Sequence, residues 1–222
     1  MNALRLALVA ALGLATVACS KDVTVQAPTI AATDLGSSSK TPGKYAVWIQ
    51  TGGWNTEVKA AGYTCSAWSF PMALEGGYAP AAQSAFSQSF ADVKFVTDTL
   101  KPADLKAQGF DAQIIVYQGS LSANFNPVTG FWTASLSASL GIDGTVAVIG
   151  PSGLTSQGTA KGIANGGTED SMFASCSDAS EAIAIAGQIA LKNFVIDAVN
   201  QAKLNVLEMR LKAQNAATPV TQ

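Results

Sequence analysis

The stretch Phe131-Trp132-Thr133-Ala134-Ser135-Leu136-Ser137-Ala138-Ser139-Leu140-Gly141-Ile142 alternates apolar and small polar residues one for one. Trp132, Ala134, Leu136, Ala138 and Leu140 share one side, and Thr133, Ser135, Ser137 and Ser139 the other. A period of two describes a strand with one face buried and one face wet. Upstream, Ile114 to Phe125 is a second strand, and Asn126-Pro127-Val128-Thr129-Gly130 between the two has the composition of a turn. Downstream, Asp143-Gly144 is a tight-hairpin pair, after which Thr145 to Ile149 returns. Gly150-Pro151-Ser152-Gly153 then turns into Leu154 to Ile163. Successive strands joined this closely form an antiparallel meander.

Beyond the meander lies a long helix. Asp178 is placed to cap it, with Glu181 three residues on, and the helical pattern runs to about Lys212. Ile183, Gly187, Ala190, Leu191, Phe194, Ala198, Ala202 and Met209 recur at three- and four-residue steps and define a core-facing stripe. Ile185, Ile189, Ile196 and Val199 form a second apolar patch on another face, a candidate subunit or partner contact. Gln188, Lys192 and Asp197 interrupt the run, which argues against a membrane span.

Before the meander, Tyr45 to Thr51 is a strand stopped by Gly52-Gly53, and Tyr63 to Phe70 a second, stopped by Pro71. Pro80 suits a first helical position, in a helix to about Phe90. Val93 to Thr97 is a strand, and Pro102 to Gln108 a short helix that Gly109 ends. The fold class expected is α+β: a mostly antiparallel sheet with helices packed on one face and a long C-terminal helix. One domain, 44–213, accommodates it, followed by a disordered tail, 214–222. Trp48 and Trp132 lie in strand patterns and belong to the core. Trp54, beside Gly52-Gly53, is the candidate exposed aromatic for an interface.

At the N-terminus, Arg5 precedes an apolar run from Leu6 to Val17, too short to span a bilayer, so residues 1–18 read as a secretory signal peptide. Thr16-Val17-Ala18-Cys19 resembles a bacterial lipoprotein lipobox, with Thr16 where that family usually has Leu. The resemblance implies cleavage before Cys19, a diacylglyceryl thioether on its sulfur and an acylated amine, and hence attachment to a lipid bilayer. Ser20, not Asp, follows the cysteine, which in such lipoproteins implies the outer membrane, facing the periplasm. Residues 19–43 are rich in Gly, Ser and Pro near their end and read as a flexible tether. Ser37-Ser38-Ser39-Lys40 matches S-x-x-K, but a linker is the wrong setting for that nucleophile. With Cys19 lipidated, Cys65 and Cys176 are left to form a disulfide in an oxidising compartment.

The search for chemistry is mostly negative. The chain has no histidine, net charge −2 and only 13% charged residues. Ser-His-Asp and Cys-His nucleophiles are excluded in their usual form, and no basic stripe suits nucleic acid. Gly153 and Gly158 begin a phosphate-loop spacing, but Thr159-Ala160 replaces the Lys-Ser/Thr it needs. Glu169-Asp170 is too small an acidic cluster for calcium. No cofactor and no metal are expected, and the chain is read as not an enzyme. The order of elements behind a lipidated cysteine, over Tyr45 to about Gln201, resembles small periplasmic lipoproteins related to the curli secretion channel and to exopolysaccharide-export lipoproteins. That resemblance implies a non-enzymatic accessory or assembly factor in export or envelope biogenesis, working through protein partners and as a possible homo-oligomer. The alternative is a tethered module binding a small ligand or glycan; a hydrolase built on carboxylates alone ranks third.

Overall fold

The computed structural model describes residues 19–36, 39–60, 65–129, 134–167 and 175–217. Its strands are β1 (Cys19–Ser20), β2 (Val23–Thr24), β3 (Thr41–Ile49), β4 (Asn55–Lys59), β5 (Trp68–Ala73), β6 (Phe90–Phe95), β7 (Ala112–Thr129), β8 (Ala134–Ile149) and β9 (Thr155–Gly167). Its helices are α1 (Glu75–Ser89), α2 (Pro102–Ala107) and α3 (Ala179–Ala217), with 3-10 turns at Ala32–Leu35 and Cys176–Asp178.

The alternation of 131–142 becomes the buried alternation of β8. Leu136, Ala138, Leu140, Ile142, Val146 and Val148 all point inward; Phe131, Trp132 and Thr133 lie outside the described residues. The main sheet runs β6-β3-β7-β8-β9. The meander β7-β8-β9 is antiparallel as expected, but β3 pairs in parallel with both β6 and β7. The sheet is therefore mixed rather than mostly antiparallel. Two turns were also misplaced. Asn126 to Thr129 continues β7, with Pro127 opposite Leu136. Asp143-Gly144 is mid-strand in β8, opposite an irregularity of β7 between Gln118 and Leu121. Gly144 serves close approach there, because a Cβ would meet the Tyr117 carbonyl and the Phe194 ring.

A second, smaller sheet is built on β5. β4 lies antiparallel on one edge, while β1 and β2 lie parallel on the other. Registers Cys19↔Trp68 and Val23↔Met72 make β1 and β2 one interrupted strand. The interruption faces Pro71, which has no N–H to give the ladder. Pro71 thus sits inside β5 instead of stopping it, and Pro80 lies inside α1, which starts at Glu75.

Residues 19–36 are accordingly no flexible tether. Val23, Val25, Ile30 and Leu35 are buried, each removing roughly 1.5–3 kcal/mol worth of side chain from water. This strap runs alongside α3 in the same direction. Lys21 Nζ donates to Ser177 O (2.8 Å), Lys192 pairs with Asp34 (2.8 Å), Lys203 Nζ donates to Leu35 O (3.0 Å) and Arg210 reaches Pro42 O. Gly187 makes room for Val25, whose Cγ2 a Cβ would meet at 2.7 Å.

α3 covers the other side of the same core. The buried face of β9 carries Ser156, Gly158, Ala160, Gly162, Ala164 and Gly166, so nothing larger than a methyl or hydroxymethyl holds the helix off. A Cβ on Gly162 would meet Ala190 O and Phe194; one on Gly166 would meet Ala182 O and Ala186 N. All eight residues of the expected core stripe are buried. The start is capped one turn earlier than expected: Asp178 accepts from Ser175 N–H (2.8 Å) and leads through the 3-10 turn into α3. The helix continues through residues 214–217, which shortens the expected tail. Cys176–Ala216 is long and apolar enough to cross a membrane by length and composition, yet 56% of its most apolar window is buried in the domain.

Helices lie on both faces of the sheet. α1 and α3 share the large core, while Leu105 of α2 packs with Phe110 on Ala46, the opposite face of β3.

Candidate functional site

Cys19 is exposed and its thiol is free, but its backbone is fixed: Cys19 N–H donates to Ala67 O at 3.1 Å. Nearby, Cys65 and Cys176 are bridged, Cα atoms 5.5 Å apart across 111 residues of sequence. Closing so long a loop contributes about 4–5 kcal/mol in the chain-entropy model. Cys65 holds a left-handed φ of 62°, a conformation that costs a non-glycine residue on the order of 1 kcal/mol. Cys19, the disulfide and the start of α3 therefore share one end of the molecule.

The candidate contact residues separate. Trp54 is fully buried, not exposed. Its ring stacks on Tyr78 (centroids 3.9 Å) and meets Phe194 edge-on (5.3 Å), and its indole N–H donates to Gln50 O at 2.9 Å. The glycines beside it turn the chain so that the tryptophan points inward. The Tyr78 hydroxyl has no hydrogen-bond partner among the described residues, and burial pushes its pKa up. Val199 is also core, and Ile196 is half-buried against the core. Ile185 and Ile189 remain outside, at 37% and 41% exposure.

Sequence reasoning missed their continuation. Leu204, Leu207 and Leu211 are 51–60% exposed on the same helix, and Ile163 on β9 is 68% exposed. At about 100° per residue, Ile185, Ile189, Ile196 and Leu207 fall within roughly 40° of one another. The three- and four-residue steps from Leu204 to Leu211 were the available signal. α3 thus presents a broken apolar row to solvent along most of its length.

Hollows among the described residues accompany these features. One of about 400 Å³ opens where β3 and β6 end, between Trp48, Phe95 and Thr97. One of about 270 Å³ lies between the strap and α3, and one of about 180 Å³ beside Tyr45 and Arg210. Among the described residues no three His, Cys, Asp or Glu side chains gather as a metal site would need. Glu169 and Asp170 lie outside the described residues.

No protein-family model and no curated protein sequence matches the chain. Solved structures show only weak likeness to it. A Xanthomonas campestris protein of the family DUF330 is 12% identical, with a TM-score of 0.40 over 90% of this chain and 100% of that one. A neuraminyllactose-binding hemagglutinin homolog from Helicobacter pylori is 9% identical, TM-score 0.46, over 87% and 100%. A PelC dodecamer from Paraburkholderia phytofirmans is 16% identical, TM-score 0.26, over 75% and 95%.

Proposed function

We propose that this chain is a lipoprotein acylated at Cys19, held at the outer membrane on its periplasmic side, and that it acts without catalysis as an accessory or assembly factor in export or envelope biogenesis. The observation that carries the reading is the exposed apolar row of α3, from Ile185 and Ile189 to Leu211. Exposed aliphatic side chains aligned on one helix suit burial against a protein partner, a second copy of the chain included. The resemblance of Thr16 to Cys19 to a lipobox and the exposed Cys19 thiol support the attachment, and the missing histidines support the absence of chemistry.

The test is made on the exported full chain. Mass spectrometry of the N-terminus reads acylation, and Cys19→Ser should leave the fold intact and move the protein from the membrane to the soluble fraction. Light scattering on that variant then reads assembly. An oligomer dissolved by Ile189→Lys with Leu207→Lys supports the helix face. Continued outer-membrane fractionation of Cys19→Ser removes the attachment reading.

The hollow at the ends of β3 and β6 favours a second reading, a tethered module for a small ligand or glycan. It has the size and aromatic lining of a ligand site, and a monomeric protein would favour it.

A further inference from the structure

We propose that the hollow between the strap and the last third of α3 is an oxyanion site, taking the phosphate or carboxylate head of a small molecule. One wall is Ser39 to Pro42; the other is Lys203, Val206, Leu207 and Arg210. Three of these side chains are cations and none is an acid. Elsewhere Lys161 pairs with Asp143, Lys192 with Asp34 and Lys212 with Glu208, while Lys21 and Lys44 donate to carbonyl oxygens. Among the described residues, the hydrogen bonds of the three in the hollow go to neutral oxygens. Lys40 Nζ donates to Ser87 O (2.8 Å), Lys203 Nζ to Leu35 O (3.0 Å), and Arg210 to Pro42 O and to Tyr45 Oη (2.7 Å).

An ammonium has three donors and a guanidinium five, so each group keeps N–H bonds beyond those its protein partners take. Lys203 is half-buried, and desolvation lowers its pKa, as expected of a cation short of compensating charge. Two acids lie nearby. Asp111 accepts Lys44 N–H at 2.7 Å and lies with Arg210 in the neighbouring hollow, outside this wall. Glu208 is held by Lys212 and Ser156. Like charges gathered in a concave, partly desolvated place repel one another, and an anion there makes charge-assisted hydrogen bonds to all three. Pro42, Val206 and Leu207 add an apolar side, and about 270 Å³ holds an oxyanion with a short carbon remainder.

The head could belong to a free solute or to a lipid, and the experiment separates them. Thermal unfolding of the full Cys19→Ser chain is followed in inorganic phosphate and in sodium chloride of equal ionic strength. The expected result is a midpoint about 2–4 °C higher in phosphate. The rise disappears in Lys203→Met and in Lys40→Met and survives in Lys59→Met, which alters a remote cation. Sedimentation with phosphatidylcholine vesicles, with and without phosphatidylglycerol, is run beside it. Lys203-dependent binding only with the anionic lipid assigns the head to a lipid; a phosphate response without vesicle binding assigns it to a solute. Equal midpoints in the two salts with no vesicle binding overturn the site, as does a phosphate response that Lys203→Met and Lys40→Met both keep.

Discussion

α3 is held on two sides by opposite means. Against β9 it rests on missing side chains: Gly162 and Gly166 bring backbone close to backbone, and Gly158 leaves room for the Gln201 side chain. Against the strap it is fastened by long ones, with Lys192, Lys203 and Arg210 reaching out to Asp34, Leu35 O and Pro42 O. The first contact is a fit with no play, so it tolerates no added atom and ignores salt. The second is a row of stitches, half of it exposed, which yields by degrees and feels salt and pH. Core apolar residues of the strap, Val25 above all, give the second side its baseline strength.

The largest expected effect tests whether either side holds the helix once its start is released. Replacing Cys65 and Cys176 together with alanine should lower stability by about 4 kcal/mol, within the usual 2–5 kcal/mol, read as a shift of the denaturant midpoint at unchanged slope. A change in slope instead would mean that the start of α3 peels away separately, and the two sides would no longer be equal partners.

The next effect attacks the fit directly. Gly162→Leu should cost about 3 kcal/mol or more by overpacking against backbone that cannot step aside. Gly153→Leu adds a side chain at a turn with open space around it; its φ of +80° gives a smaller penalty, of order 1–2 kcal/mol. Equal losses at the two sites would show that the β9 contact has slack.

The smallest effect probes a stitch. The Asp34 carboxyl is held below its ordinary pKa, first by its hydrogen bond with Lys192 and then by the Ala31 N–H. A carboxylate with a depressed pKa adds stability above the ordinary value of about 4 and loses it as pH falls through the folded value. Asp34→Asn should therefore lower the midpoint slightly at neutral pH and low salt. The difference should vanish in acid and shrink in high salt. A difference that persists unchanged at pH 2 would reassign Asp34 to packing.

The fit was more legible than the stitches. β8 announced itself because Leu136, Ala138 and Leu140 alternate with serines, and α3 because its stripe repeats over many turns. Periodic burial leaves a periodic record. The strap left none: four apolar residues, Val23, Val25, Ile30 and Leu35, are scattered among polar ones, and the Gly-Ser-Pro run after them dominated the reading. The parallel pairing of β3 with β6 and β7 is invisible locally, since period says nothing about the neighbour's direction. Trp54 was misjudged because adjacent glycines signal a turn but not the way it points. As for the candidate site, Ile185 and Ile189 could be read from spacing. The cationic hollow could not, because Lys40 and Arg210 line it from 170 positions apart.

That last separation also orders events in time. An earlier segment is seated against a later one: Leu35 waits for Lys203 and Pro42 for Arg210, each 168 positions away. Until α3 exists, Val23, Val25 and Ile30 have no finished surface to cover, and β9 shows its glycine-lined face to water. Contacts of such long range close slowly. The strap therefore stays open on the nascent chain, and completing α3 is the step that locks it in place.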